Sequence, residues 1–185
     1  MHGTEALAVE FMERANALGV RVERVATSTD AAAFAATLAS EVEATPIVSA
    51  ELGEAAPMFL AMIEALGSGA VLPGDPSATR DQPLGFSVAR LAIAETGSVL
   101  LAERTLTDRA VGMLTKTHCV VCPTSSLVQS LDDAAPVLRD IALAGHGAHA
   151  TLVTGPSRTA DIELSLTVGV QGPALLAVLF VDVLK

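Results

Sequence analysis

THCVVCPTSSLVQSLDDAAPVLRDIALAG, residues 117–145, is the most informative stretch of the chain for architecture. Residues 119–122 are a short apolar run bounded by Pro123 and polar residues, the pattern of a strand buried on both faces. Ser130 and the pair Asp132-Asp133 then offer helix caps, and helical spacing continues over residues 132–144 to a stop at Gly145. A buried strand followed directly by an amphipathic helix is the unit from which α/β layered domains with parallel sheets are built.

Towards the N-terminus the same alternation recurs. Thr4 and Glu5 open a helix whose Leu7, Phe11, Ala15 and Leu18 share one face, and Gly19 stops it. Residues 20–25 alternate apolar and charged side chains as a half-exposed strand does, and Ser28-Thr29-Asp30 cap an alanine-rich helix to about residue 39. A short strand at 46–49, a helix at 56–66 and a strand at 70–72 follow. Residues 74–84 hold two Asp, two Pro, a Gly and a Ser, and read as a surface loop.

Beyond that loop, strands are expected at 91–94, 98–102, 119–122, 150–154 and 175–180, with 132–144 the one clear helix among them. Their close spacing allows some antiparallel pairing in a mainly parallel, three-layer α/β domain. The length of 185 residues is that of one domain, 1–185, and 51% apolar content supplies its core. Aromatic residues are 3%, without Trp or Tyr, so the core is built from close-packed Ala, Val, Leu and Ile.

A net charge of -10 and a pI near 4.7 disfavour nucleic acid, whose phosphates need clustered Lys and Arg. The longest apolar run, residues 174–181, is far short of the roughly 20 residues of a membrane helix, and Glu5, Glu10, Glu13 and Arg14 interrupt any secretory signal. A cytoplasmic protein without membrane insertion is expected. Cys119 and Cys122 form a C-x-x-C, yet in a strand they point to opposite faces with Cα atoms about 10 Å apart. They read as buried hydrophobes, no metal site is expected, and two cysteines cannot supply four ligands to an iron–sulfur cluster.

Three segments carry candidate chemistry. In Ala92-Ile93-Ala94-Glu95-Thr96-Gly97-Ser98-Val99-Leu100-Leu101 two apolar strands meet at a polar hinge. Glu95 either caps the turn or faces a cleft, where Gly97 and Ser98 would present N–H groups to an anion. In Thr154-Gly155-Pro156-Ser157-Arg158-Thr159-Ala160-Asp161-Ile162-Glu163 a strand is followed by a glycine turn and a short helical turn. There Arg158 either grips a carboxylate or phosphate through paired hydrogen bonds or pairs locally with Asp161 or Glu163. Val168-Gly169-Val170-Gln171-Gly172-Pro173 is a turn in which Gln171 donates and accepts hydrogen bonds but shuttles no proton. His146 and His149 flank a glycine without a nearby acidic partner, and His118 begins a strand. Ser125 and Ser126 lack a His or Asp in local register.

AIAETGSVLL (residues 92–101), VTGPSRTADIE (153–163) and VGVQGP (168–173) resemble, in order and spacing, the defining blocks of the lactate-utilisation LutC/YkgG family of LUD-domain proteins. THCVVCPTSSLVQSLDDA between the first two resembles that family's strand, turn and helix. The likeness is firm from about residue 85 onward, looser over FMERANALGVRVERV (11–25), and poor over about 39–84. It implies a NagB/RpiA/CoA-transferase-like fold and a role in oxidising L-lactate to pyruvate beside iron–sulfur partner proteins. It also points to a small anionic ligand, lactate or pyruvate, held by Thr96, Gly97, Ser98, Gly155, Ser157, Arg158, Thr159, Asp161, Glu163 and Gln171. Where the family commonly has GVHGP, Gln171 replaces the histidine, which puts acid–base chemistry there in doubt.

Three functions compete on this reading. The first is an accessory subunit of lactate oxidation that binds a small anion. The second is a stand-alone acyl-transfer, CoA-transfer or ligase-type enzyme with Glu95 as nucleophile, because class I CoA transferases use a strand-end glutamate. The third is a non-catalytic scaffold for the iron–sulfur partners. Cofactor identity is not legible.

Overall fold

The computed structural model describes residues 2–144, 149–159, 167–168 and 172–185. Helix α1 (His2–Ala17) leads into β1 (Arg21–Thr27), and α2 (Ser28–Glu41) follows at once. Thr27 and Asp30 form a reciprocal capping box at the start of α2. Next come β2 (Ile47–Val48), α3 (Ala50–Ala55) and α4 (Pro57–Ala65), then β3 (Leu84–Val88), β4 (Leu91–Ile93) and β5 (Ser98–Leu101). Helix α5 (Leu106–Leu114), β6 (Thr117–Pro123), β7 (Leu127–Val128) and α6 (Leu131–Leu143) precede β8 (Thr151–Val153), β9 (Arg158–Thr159), β10 (Thr167–Val168) and β11 (Leu175–Val183).

The main sheet has the order β1-β11-β6-β3-β2, and every neighbouring pair in it is parallel. Helices α2, α3 and α4 cover one face, where Phe59 and Phe86 meet edge-on with Leu52, Ile63 and Cys119. On the other face Phe11 of α1 meets Phe180 of β11 edge-on, with ring centroids 4.9 Å apart. A four-stranded mixed sheet, β7-β4-β5-β8, packs on that side. Its inner residues Ala92, Ala94, Val99 and Leu101 join the core, while Leu91, Ile93 and Leu100 turn outward beneath α6. The result is the expected α/β architecture, mainly parallel with antiparallel pairing confined to the smaller sheets.

Several elements depart from the sequence reading. Strand β3 lies beside the central β6 although residues 74–84 read as a loop and no strand was expected between 72 and 91. Its sequence LGFSV lacks an unbroken apolar pattern because Gly85 must lie under α5: a Cβ there would stand 2.8 Å from Thr115 Cγ2 and 2.9 Å from Val111 Cγ1. Helix α5 was not foreseen either. Its polar first turn and its Gly112 mask the helical period, but Thr105 caps it by accepting from the Asp108 N–H.

The helix expected at 56–66 is α4; α3 before it was not foreseen, and the two are separated where Ala56 leaves helical geometry and Pro57 starts the second. The strand at 70–72 reduces to one bridge between Ile47 and Val71. Arg158 and Thr159, read as entering a helical turn, pair antiparallel with β10. Among the described residues, no helix is long and apolar enough to cross a membrane.

Candidate functional site

The β4–β5 hinge and the loop after β8 meet. Ser98 Oγ lies 2.6 Å from Thr154 Oγ1, and Ser98 is buried. Pairing of β5 with β8 sets this register, because Val99 faces Val153. The third block joins them: Ser157 N–H donates to the Pro173 carbonyl at 2.9 Å, and a Cβ on Gly172 would come within 3.2 Å of Ser157 Cβ. Asp161, Glu163 and Gln171 lie outside the described residues.

The last turn of α1 is the floor on which these loops sit. Gly97 has φ +64°, and a Cβ there would stand 2.8 Å from the Ala15 backbone nitrogen. Its N–H closes the hinge onto the Ile93 carbonyl at 3.0 Å. Gly155, at φ +95°, lies over Leu18. Arg158 donates through Nη2 to the Leu18 carbonyl beyond the C-terminal end of α1, where unpaired carbonyls favour a cation. A guanidinium carries five N–H donors, so one anchored nitrogen leaves others for a planar anion. Arg158 is exposed.

Glu95 turns the other way. Its backbone N–H bonds the Gln129 carbonyl, and Oε1 accepts the Leu131 N–H at 2.8 Å, at the first turn of α6. Ser130 and Asp133 complete a capping box at the same helix start. A carboxylate at a helix N-terminus is electrostatically favoured, which explains how the hinge holds a charge where two apolar strands meet. Thr96 is exposed beside it.

Cys119 and Cys122 face opposite sides of β6, one in each core cluster, and both thiols are free. Burial raises both, pushing Cys122 up to about 12, so neither is a thiolate nucleophile near neutral pH.

A second polar region was missed by the sequence reading. A cavity of about 420 Å³ opens at the carboxyl end of β3, between α3, the exit of β5 and the end of α6. Ligands of open α/β sheets bind beyond the carboxyl ends of strands. Glu51, Glu54, Arg90, Glu103, Arg104 and Asp140 supply its polar lining, and Ala55, Val88, Ala102 and Ile141 its apolar wall.

Arg104 is held by Glu51 at 2.9 Å and also by Glu54. Glu103 is 5% exposed, and burial raises its carboxyl above the ordinary range, reinforced by Glu51 and Asp108. Behind it, His118 Nε2 lies 2.6 Å from Ser87 Oγ, and full burial lowers the imidazole to about 4. Glycine at 112 lets α5 come down here, since a Cβ would lie 3.0 Å from His118 Cε1 and 3.6 Å from Glu103 Oε1. A histidine inside an otherwise apolar strand was the available signal, because a buried polar ring demands a partner.

A parallel five-stranded sheet clad by helices, with a small mixed sheet that brings the β4–β5 hinge and the loop after β8 to the end of the first helix, defines a layered α/β domain. The chain belongs to the LUD domain family, which it matches over residues 79–181. It is 36% identical over 101 residues to lactate utilization protein C 1 of Bacillus mycoides, covering 54% of this chain and 43% of that protein. It is 33% identical over 101 residues to lactate utilization protein C of Bacillus subtilis, covering 54% and 42%.

The matched stretch thus spans less than half the length of these curated relatives. The crystal structure of a DUF162 family protein from Deinococcus radiodurans superposes with a TM-score of 0.71, covering 96% of this chain and 98% of that one. At 21% identity that likeness speaks to the fold alone.

Proposed function

We propose that this chain is a lactate-utilisation component that binds a small carboxylate, lactate or pyruvate, where the β4–β5 hinge and the loop after β8 meet over α1. The observation that carries this reading is the Ser98–Thr154 contact, which joins two family motifs 56 residues apart. Arg158, tethered to Leu18 at the rim of the same assembly, is the residue that meets the carboxylate. Gly155, Ser157 and Thr159 shape the backbone around it, and Thr96, Gly97 and Ser98 form the facing wall. The names of the curated relatives support the pathway.

Converting lactate to pyruvate releases two electrons and two protons. The two cysteines of this chain lie on opposite faces of β6 and cannot ligate a cluster together. The reading is therefore an accessory subunit acting beside partner proteins that carry iron–sulfur clusters. Isothermal titration with L-lactate and pyruvate tests it. Binding by the wild type, weakened at least tenfold in Arg158→Ala, is expected; no binding, or equal binding by the variant, removes the proposal.

A further inference from the structure

The cavity at the carboxyl end of β3 is separate from the loops over α1 and belongs to no motif of the family likeness. Its charges are unevenly satisfied. Glu51 and Glu54 share Arg104. Asp108, just behind the wall, accepts from the Ala50 N–H at 2.6 Å and from Thr105 Oγ1 at 2.7 Å. Glu103 is different: among the described residues, no Lys, Arg or His lies within ion-pair distance of its carboxylate. It is nevertheless 95% buried and lines the open space, by its 5% exposure.

A carboxylate largely buried without a counter-ion is costly, and the cost is relieved by a cation brought to it. The main charges acting on Glu103 are the carboxylates Glu51 and Asp108, against the single cation Arg109. Local potential therefore favours a positive group. The described residues hold no cluster of three or more His, Cys, Asp or Glu suited to a metal ion, so the chemistry here is that of an organic cation.

The remaining wall narrows the class. Ala55, Val88, Ala102 and Ile141 offer aliphatic contact, and Arg90 also lines the space. Among the described residues Arg90 has no carboxylate within ion-pair distance, and it is not among the main charges acting on Glu103. An ammonium for Glu103, an aliphatic body for the wall and a carboxylate for Arg90 describe one molecule. We propose that this cavity is a binding site for a small zwitterion of the aliphatic amino-acid type, with its ammonium on Glu103 and its carboxylate on Arg90.

A matched set of probes tests this on the intact wild-type chain by isothermal titration. L-Leucine carries both charges, isoamylamine the ammonium alone, 4-methylpentanoate the carboxylate alone, and 2-hydroxy-4-methylpentanoate exchanges the ammonium for a hydroxyl. Leucine is expected to bind at least tenfold more tightly than either acid that lacks nitrogen. Glu103→Gln should weaken leucine at least tenfold, and Arg90→Met should weaken leucine but not isoamylamine. Arg158→Ala should leave leucine binding unchanged, which separates this site from the loops over α1. Equal or tighter binding of the hydroxy acid by Arg158→Ala, in which the loops over α1 no longer grip a 2-hydroxy acid, overturns the proposal, as does failure of both ammonium compounds to bind. Should Glu103→Gln not fold, the probe series on Arg158→Ala decides alone.

Discussion

Acidification should destabilise this protein through one imidazole. His118 is buried in β6 against Ser87, and its neutral form persists down to about 4, against 6.5 for a solvated histidine. The unfolded chain takes up a proton as pH falls through 6.5, while the folded chain resists until about 4. The contribution of this group is therefore fully present above pH 6.5 and lost progressively between 6.5 and 4. A shift of that size corresponds to about 3 kcal/mol.

The clean perturbation is His118→Gln, which keeps an amide beside Ser87 Oγ but does not titrate. Urea unfolding of both proteins at half-unit steps from pH 7.5 to 4.5 gives the difference in stability at each pH. Glu103, raised by burial, has the opposite sign, since its penalty is relieved on protonation; it is common to both proteins and largely cancels. The wild type should lose stability relative to the variant by about 1 kcal/mol per unit within the window. Parallel curves for the two proteins refute the reasoning.

Two further substitutions probe the loops over α1. Gly97→Ala places a side chain in the left-handed region and drives a Cβ against the Ala15 backbone, so a loss of about 3 kcal/mol is expected in chemical denaturation; a loss below about 0.5 kcal/mol contradicts the close packing on α1. Glu95→Ala should cost about 1 kcal/mol by removing the acceptor for the Leu131 N–H, whereas Glu95→Gln retains a carbonyl oxygen and most of the stability. Equal losses in the two variants refute the capping role.

The sequence announced its strands and helices where local chemistry was unambiguous. Ser130 before an Asp pair, and Gly145 after a helical period, fixed α6; the apolar run around Val120 fixed β6. What escaped notice depended on contacts between segments. Gly85 and Ser87 make sense within β3 only once α5 and His118 are placed over them. The order and spacing of the three motif blocks were legible as a family pattern, whereas the contact of Ser98 with Thr154 was not. The direction of Glu95 was left open, because nothing in ETGS says whether its carboxylate turns to a cleft or to a helix 36 residues further on. The cavity beside Glu103 was invisible for the same reason: α3, β5 and α6 contribute to it from stretches with no shared motif.

The position of β11 has a consequence for biosynthesis. It is the last of the five main-sheet strands to leave the ribosome, yet it sits between β1 and β6. Until it emerges, Val22 and Val25 of β1 have no ladder to join, and one edge of β6 stays open. A nascent chain lacking only this segment is thus an assembly of unpaired edges, the state most open to chaperone capture or to pairing with a neighbour. Closure of the sheet must be a late step, timed by the arrival of residues 175–183.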